Sequence, residues 1–560
     1  MEKEKIQTPS TKKKISFFSA MLIVMGGSIG AGIFFKSGTV LGNSQSSLIL
    51  AIFCWLIASC AVIAMALALI EVSSVKNDNL SLIGWCKVFN GRTIYKASKN
   101  FMVYVYLPLT YLFMPLYVLL SLQDGLAGIL NKSATFGTGA DWIIWTIISL
   151  VITIYFLTVP TLWSKLGDIH NKVVLAVKFI PLVFVTVIGF VLIFAGKSGV
   201  GDVHIHFQAA GKFSEGSGVL GINGIGAGLG MFLSMSAIFF AYDGFYVASG
   251  IQSEMKEPKK TPMALFFGLG ITTIVYLLIS ISLSLNGGNV FSMGDFFGKM
   301  IGETPSRIIF GVMNLMIAIG VLGIINGFSM WAPRYVEDLL AQGELPFWEK
   351  VKGKLNPNFP KIGVIYALSI TIPVVIVFTI IGALAYVPNG VYTGYDSEGS
   401  NSMQRLYGFA DLMSNWTALF TFAFIGAAIY GGIKNRKSNK IHINDKKQYF
   451  LIAAWVAVIL VFAALTFTVV VPIIDLFAIG AMDKTKMAAA LMESEKITLQ
   501  EATALADKNY NIQVISRVTL VIVLGLNLFL TFIPTLIEDY LAKKKYGSLE
   551  KFEQYKQKTL

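Results

Sequence analysis

The chain has 560 residues, 55% of them hydrophobic and 14% charged, and a formal net charge of +13. A water-soluble chain carries about a quarter charged residues, and here the apolar residues come in blocks of about twenty, the length that crosses the hydrocarbon core of a bilayer. Soluble folding is excluded, the positive charge is explained by basic loops on one side of a membrane without a nucleic-acid partner, and Cys54, Cys60 and Cys86 form neither a disulfide framework nor a metal-ligand spacing.

Residues 1–14 are polar and lysine-rich and read as a cytoplasmic tail. Twelve apolar blocks follow, at 15–41, 47–71, 101–130, 141–159, 173–195, 226–253, 262–285, 305–331, 363–386, 407–433, 450–471 and 512–534. With the N-terminus inside, the cytoplasmic segments hold 32 of the 45 Lys and Arg and the external side 11, while Lys36 and Lys178 sit within spans. That bias is what the positive-inside rule predicts for a multi-pass protein with both termini in the cytoplasm, in the plasma membrane. The loop 387–404 is rich in Gly, Asn and Ser. The external insertion 473–511 contains 482–507, whose Ala, Glu, Lys and Leu predict a surface helix. Residues 537–560 form a basic cytoplasmic tail.

The first block contains Gly26, Gly27, Ser28, Ile29, Gly30, Ala31 and Gly32. Four glycines in seven residues cost a continuous helix about 1 kcal/mol each against alanine. In hydrocarbon an unwound backbone survives only where protein buries it or where it lines a cavity. Half-helix ends then offer N–H groups to an anion and C=O groups to a cation, and an amino acid zwitterion carries both charges. Close helix packing of the Gly-xxx-Gly kind, which Gly26 and Gly30 satisfy, is the competing explanation. The sixth block repeats the pattern at Phe239-Phe240-Ala241-Tyr242-Asp243-Gly244, with a carboxylate deep in an apolar run. A charge at that depth usually faces a bundle interior or a watery cavity. Interruptions in spans one and six are the offset expected of a five-plus-five inverted repeat, 15–195 and 226–433, with 450–536 holding the last two spans.

These residues resemble the amino acid–polyamine–organocation (APC) permeases. Gly27-Ser28-Ile29-Gly30-Ala31-Gly32-Ile33-Phe34 is similar to that family's glycine-rich signature. Phe240-Ala241-Tyr242-Asp243-Gly244-Phe245 with the loop from Glu254 to Pro262 resembles its sixth-span motif. The stretch from Asn326 through Trp331 and Arg334 to Pro346 resembles its eighth-span exit. The resemblance implies an all-α integral membrane fold of twelve transmembrane helices, a LeuT-type inverted repeat with discontinuous helices one and six. It implies that N–H groups near Gly30, Ala31 and Gly32 hold a substrate carboxylate. Carbonyls near Ser28, Ile29, Phe240 and Asp243 would take the ammonium, and Phe240 and Tyr242 would flank the pocket beside Ala241. Lys178 matches a fifth-span lysine whose ammonium stands in for a sodium ion and can exchange a proton; snorkelling to the inner interface is its competing role. Many members have a small neutral residue where Asp243 stands, so the carboxylate favours a substrate with extra positive charge or carries a proton.

His170, His204, His206 and His442 fall in loops, so a histidine proton relay is not expected. Glu71 and Glu254 end the second and sixth spans as interface residues, and Arg334 reads as a cytoplasmic anchor. With no Walker loop there is no sign of ATP drive, and no enzyme activity, cofactor or metal is expected. The function expected is secondary transport of amino acids by alternating access, proton-coupled or by exchange. Alternatives are a carrier or antiporter of polyamines or cationic amino acids, a non-transporting amino acid sensor and, without a repeated selectivity filter to support it, an ion channel.

Overall fold

The computed structural model describes residues 16–30, 32–44, 46–75, 80–200, 226–246, 255–356, 359–387, 401–443, 446–481 and 483–560. The tail 1–14, Ala31, His204, His206, Glu254 and most of the loop 387–404 lie outside the described residues. Among the described residues, ten helices are long and apolar enough to cross a membrane, and two shorter apolar ones, Phe17–Gly26 and Leu229–Ala241, fall in the first and sixth blocks. In chain order the elements used below are α1 (Phe17–Ser28), α2 (Gly32–Asn43), α3 (Leu48–Val75), α4 (Leu82–Phe89), α5 (Arg92–Leu130), α6 (Asp141–Leu162), α7 (Ser164–Phe194) and α8 (Gly226–Ala241). Then come α9 (Thr261–Ser284), α10 (Val290–Ile301), α11 (Glu303–Ala341), α12 (Lys361–Ala385), α13 (Asn401–Ser438), α14 (Phe450–Ala478), α15 (Lys484–Glu495), α16 (Leu499–Tyr546) and α17 (Leu549–Thr559).

The outer faces have the chemistry of a lipid contact. On α6, Ile143, Ile147, Val151 and Ile154 recur at steps of three and four residues, one stripe of a helix, and are 44–61% exposed. The inward face of the same helix buries Thr146, Ser149 and Thr153, and the two threonine hydroxyls donate to the carbonyls of Trp142 and Ser149. Lipid tails give helices no hydrophobic reason to associate, so close backbone approach does that work. At the crossing of α5 and α11 a Cβ on Gly128 would stand 2.9 Å from the Arg307 carbonyl oxygen and 3.0 Å from Gly311 Cα. One on Gly311 would stand 2.8 Å from the Gly125 oxygen. Beside this crossing, α2 packs against both α8 and α9, and α1 packs on α9.

Several elements run past the expected boundaries. α5 begins at Arg92, not near 101, because Lys96 and Lys99 are neutralised where they enter the protein. Lys96 meets Glu344 at 2.6 Å and Lys99 meets Glu538 at 2.9 Å. Lys556 of α17 reaches the other oxygen of Glu344 at 2.7 Å. The start of α5, the chain just after α11, the end of α16 and α17 therefore meet. Glu71 is fully buried, not interfacial, and forks with Arg436, with Nη2 2.6 Å from its Oε2. His170 lies on α7, not in a loop, and its ring is 3.2 Å from Asn326 Oδ1. The insertion forms a hairpin instead of one surface helix. α15 ends at Glu495, and a capping box between Thr498 and Glu501 starts α16, which runs straight into the last span.

Candidate functional site

The first span opens where its glycines cluster. α1 ends at Ser28, Ile29 is extended with φ −78° and ψ 107°, and helix resumes at Gly32. The helix of the sixth apolar block stops beside it. α8 ends at Ala241, and the chain turns through Tyr242–Gly244, with Gly244 at φ +99°, a region that strains any residue with a Cβ. The two openings touch. A Cβ on Gly32 would stand 3.2 Å from Ala241 Cα and 3.4 Å from the Phe240 ring, so glycine is what lets the backbones meet.

Between them lies a cavity of about 750 Å³, lined from the first span by Gly26, Ser28, Ile29, Gly30 and Gly32 and from the sixth by Phe240, Ala241, Asp243 and Gly244. Among the described residues, Lys178 and Asp243 are the charged side chains on its wall. Lys178 does not snorkel away: its Nζ donates to the Gly26 carbonyl at 3.1 Å and the Ile29 carbonyl at 3.4 Å, so the ammonium caps peptide oxygens that the opened helix leaves over. Asp243 accepts from Tyr106 Oη at 2.9 Å and from the Gly244 N–H at 3.0 Å, both neutral donors. Tyr106 is delivered by a local defect. Residues Met102–Tyr106 form a π-helical turn just before Pro108, which has no N–H to give; such turns recur at functional sites.

Two expected site groups are placed differently. Tyr242 is fully buried and turned away from the cavity, because Ser59 Oγ at 2.8 Å and Thr273 Oγ1 at 2.9 Å take its hydroxyl. The Ser28 carbonyl is engaged by Tyr276 of α9, whose Oη lies 2.6 Å from it and 2.8 Å from the Ala241 carbonyl. The Tyr276 hydroxyl oxygen in turn accepts from the Gly30 N–H at 3.4 Å. One hydroxyl thus ties the two openings together, a role invisible in the sequence, where Tyr276 is one aromatic residue in an apolar block.

A second cavity, of about 810 Å³, lies further along the same helices and is lined by Thr39, Tyr117, Asp124 and Asp411 among others. Buried between the two is Lys36, which the residue count places inside a span without assigning it a role. Its Nζ is 2.7 Å from Asp411 Oδ1, 2.7 Å from Ser414 Oγ and 2.8 Å from Tyr117 Oη. It also lies 4.5 Å from the Phe240 ring centroid, close enough for a cation–π contact.

Comparison with known proteins gives the chain a family. The profile of the family described as amino acid permease matches residues 15–490. An uncharacterized protein of Mycoplasma pneumoniae is 53% identical over 98% of this chain and 98% of its own length. The serine/threonine exchanger SteT of Bacillus subtilis is 24% identical, over 62% of this chain and 72% of that one. Among solved structures, a manganese transporter of Eremococcus coleocola aligns at a TM-score of 0.47 with 11% identity, over 91% of this chain and 94% of that one, a loose likeness.

Proposed function

Since the chain belongs to the amino acid permease family, and is thus a multi-pass membrane transporter, we propose that it is a secondary carrier moving amino acids across the plasma membrane by alternating access. The observation that carries this reading is the cavity where two opened helices meet, walled by peptide groups of Ser28, Ile29, Gly30 and Gly32 facing those of Phe240, Ala241 and Asp243. In our reading the twelve crossings are the ten long helices plus the two interrupted spans, arranged as a LeuT-type repeat of 15–195 and 226–433, with both tails in the cytoplasm. The meeting of Lys96, Glu344 and Lys556 supports a shared side for their segments.

The substrate carboxylate is held at the start of α2, by N–H groups of Gly32, Ala31 and Gly30. There a helix N-terminus favours negative charge by about 0.3–1 kcal/mol or more when water is excluded. The ammonium lies toward the carbonyls at the end of α8, and Phe240 packs against the side chain. For the Ser28 and Gly30 groups to take part, the Tyr276 hydroxyl must yield one partner. Lys178 and Asp243 are the groups through which protons would couple, Lys178 by releasing the Gly26 and Ile29 carbonyls when it loses its proton. Uptake of a radiolabelled panel of amino acids, polyamines and acidic analogues into proteoliposomes, at two pH values, tests the proposal. Saturable uptake of at least one amino acid is expected; background flux for the whole panel contradicts it.

One observation favours a narrower reading, a carrier or antiporter of cationic amino acids or polyamines. The Asp243 carboxylate faces neutral donors, Tyr106 Oη and the Gly244 N–H among them, and Tyr106, Phe328 and Trp331 stand on the same cavity wall. A side-chain ammonium there would find a charge-assisted hydrogen bond and aromatic faces. Competition of the panel against the best labelled substrate, in the parent and in Asp243→Asn, decides between the two readings.

A further inference from the structure

The segment between α11 and α12 presents an aromatic ring where the backbone resists one. Phe347 has φ +66° and ψ 7°, the left-handed region that strains a residue with a Cβ, and it is 66% exposed. A glycine would make the same bend without strain. The ring is thus neither required by the bend nor buried by the fold. Lysines stand around it. Lys350, on the single turn Trp348–Val351, has its Nζ 5.6 Å from the Phe347 ring centroid, and Lys352 and Lys354 follow, both exposed. Two helices fix the depth of this segment. The outward stripe of α16 carries Ile537, Tyr540 and Leu541, 52–66% exposed, and the exposed Lys544 continues it one turn on. The next two residues reach the segment: Lys545 Nζ lies 3.5 Å from Glu349 Oε2, and Tyr546 Oη donates to Glu349 Oε1 at 3.0 Å. At the segment's other end α12 starts at the exposed Lys361 and shows Ile365, 51% exposed, one turn later. On both helices exposed apolar side chains give way to lysine at this level, as they do at the headgroup boundary of a bilayer.

We propose that Phe347, Lys350, Lys352 and Lys354, with Lys543 and Lys544 at the end of α16, form a seat for an anionic phospholipid headgroup on the side of the C-terminal tail. The Phe347 ring enters the boundary between headgroups and acyl chains, and the strained bend holds it there. The ammoniums meet the lipid phosphate as charge-assisted donors. Charge decides for an acidic lipid over a zwitterionic one. Five lysines face the headgroup, while Glu349, the acid among them, is taken by Lys545 and Tyr546. Each lysine near an anionic surface adds about fivefold to binding. Phe347 lies three residues beyond Glu344, where Lys96 and Lys556 converge, so an occupied seat steadies that junction. The inference rests on the chain crossing a membrane and not on what it carries.

The test is the thermal midpoint of the purified full chain in a non-ionic detergent, titrated with phosphatidylglycerol or with phosphatidylcholine. A ligand that binds the folded chain raises the midpoint as its concentration rises. Phosphatidylglycerol is expected to raise it well above the effect of phosphatidylcholine. Salt at about 1 M, where the Debye length is about 3 Å, is expected to remove most of that difference. Lys350→Gln, Lys352→Gln and Lys354→Gln together are expected to raise the phosphatidylglycerol needed for half the effect about tenfold or more, with the lipid-free midpoint as in the parent. Phe347→Gly, which suits the bend, keeps or raises the lipid-free midpoint yet also needs more phosphatidylglycerol. Lys437→Gln with Lys440→Gln, exposed lysines at the end of α13, leaves the requirement as in the parent. The seat is overturned if the two lipids act alike, if the triple variant or Phe347→Gly titrates like the parent, or if the Lys437 and Lys440 changes cost as much as the triple variant. A rise of the same size with inorganic phosphate alone would also overturn it, by showing a site for soluble anions.

Discussion

The contact between the two opened helices can be graded with single methyl groups. A Cβ at Gly32 meets the backbone at Ala241 Cα, 3.2 Å away, and the Phe240 ring at 3.4 Å; neither is the free end of a flexible chain. Relieving such overpacking costs about 1–3 kcal/mol, which is about 5- to 150-fold in substrate affinity if the openings must stay in register to bind. A Cβ at Gly30 meets Ile324 Cδ1 at 3.3 Å, a terminal methyl that can rotate, so Gly30→Ala stays within the ~0.5–1.5 kcal/mol of a displaced rotamer. At Gly26 nothing lies within 4 Å, and alanine there favours α1 by about 1 kcal/mol while leaving the cavity alone. The order of affinity loss is thus Gly32→Ala, then Gly30→Ala, then Gly26→Ala with none. Equilibrium binding of labelled substrate to purified protein measures it, with the thermal midpoint recorded beside it to separate folding from binding. Parent-like binding by Gly32→Ala, or equal losses at Gly26 and Gly32, would refute the register argument.

Four further outcomes are expected. Gly30→Leu fills the cavity and stops uptake of every substrate while the protein still inserts, as seen by its yield in membranes. Tyr276→Phe removes the hydroxyl that serves two buried carbonyls, at about 1–3 kcal/mol for each group left unpaired, and lowers both the thermal midpoint and the affinity; unchanged values for both would show the bridge to be idle. Asp243→Asn weakens substrates with a side-chain ammonium about tenfold or more, from a charge-assisted hydrogen bond of ~1.5–3 kcal/mol. Neutral substrates change less, and Lys178→Ala or Asp243→Asn alters the pH profile of uptake if protons couple through them. At the tail side, burial pushes the Glu344 carboxyl up, but the Lys96 and Lys556 ammoniums outweigh it and hold it well below the usual carboxylate range. A depressed carboxylate stabilises the fold above its unfolded value of about 4.3, and that contribution is lost only as pH falls through the lower folded value. Lys556→Met is therefore expected to lower the thermal midpoint by a constant amount across about pH 5 to 8; a gap that opens or closes within that window contradicts the assignment.

Much of the site was legible because the membrane magnifies local signals. Glycines at 26, 27, 30 and 32 stand out in hydrocarbon, where an open helix must have a reason, and a carboxylate at 243 stands out for its depth. Lys178 was legible by resemblance. What stayed hidden depends on partners distant in the chain. Lys36 finds Asp411 across 375 residues, and neither carries a local motif. Tyr276 differs from other span tyrosines only in what it reaches. The direction of Tyr242 turns on the exit angle of a tight turn, which no periodicity records. The entry of α5 was hidden because Lys96 and Lys99 look like loop residues until Glu344 and Glu538 pair with them. By contrast, the start of α16 could have been read: Thr498-Leu499-Gln500-Glu501 is a capping box in plain sequence.

An experimental structure determined with the best substrate of the uptake panel bound is the most direct check. We expect the ligand's carboxylate at the start of α2 and its ammonium by the end of α8, with both helices open at Ile29 and at Tyr242. Unbroken hydrogen-bond ladders through those residues, or a ligand seated away from that junction, would contradict the carrier mechanism proposed for this chain.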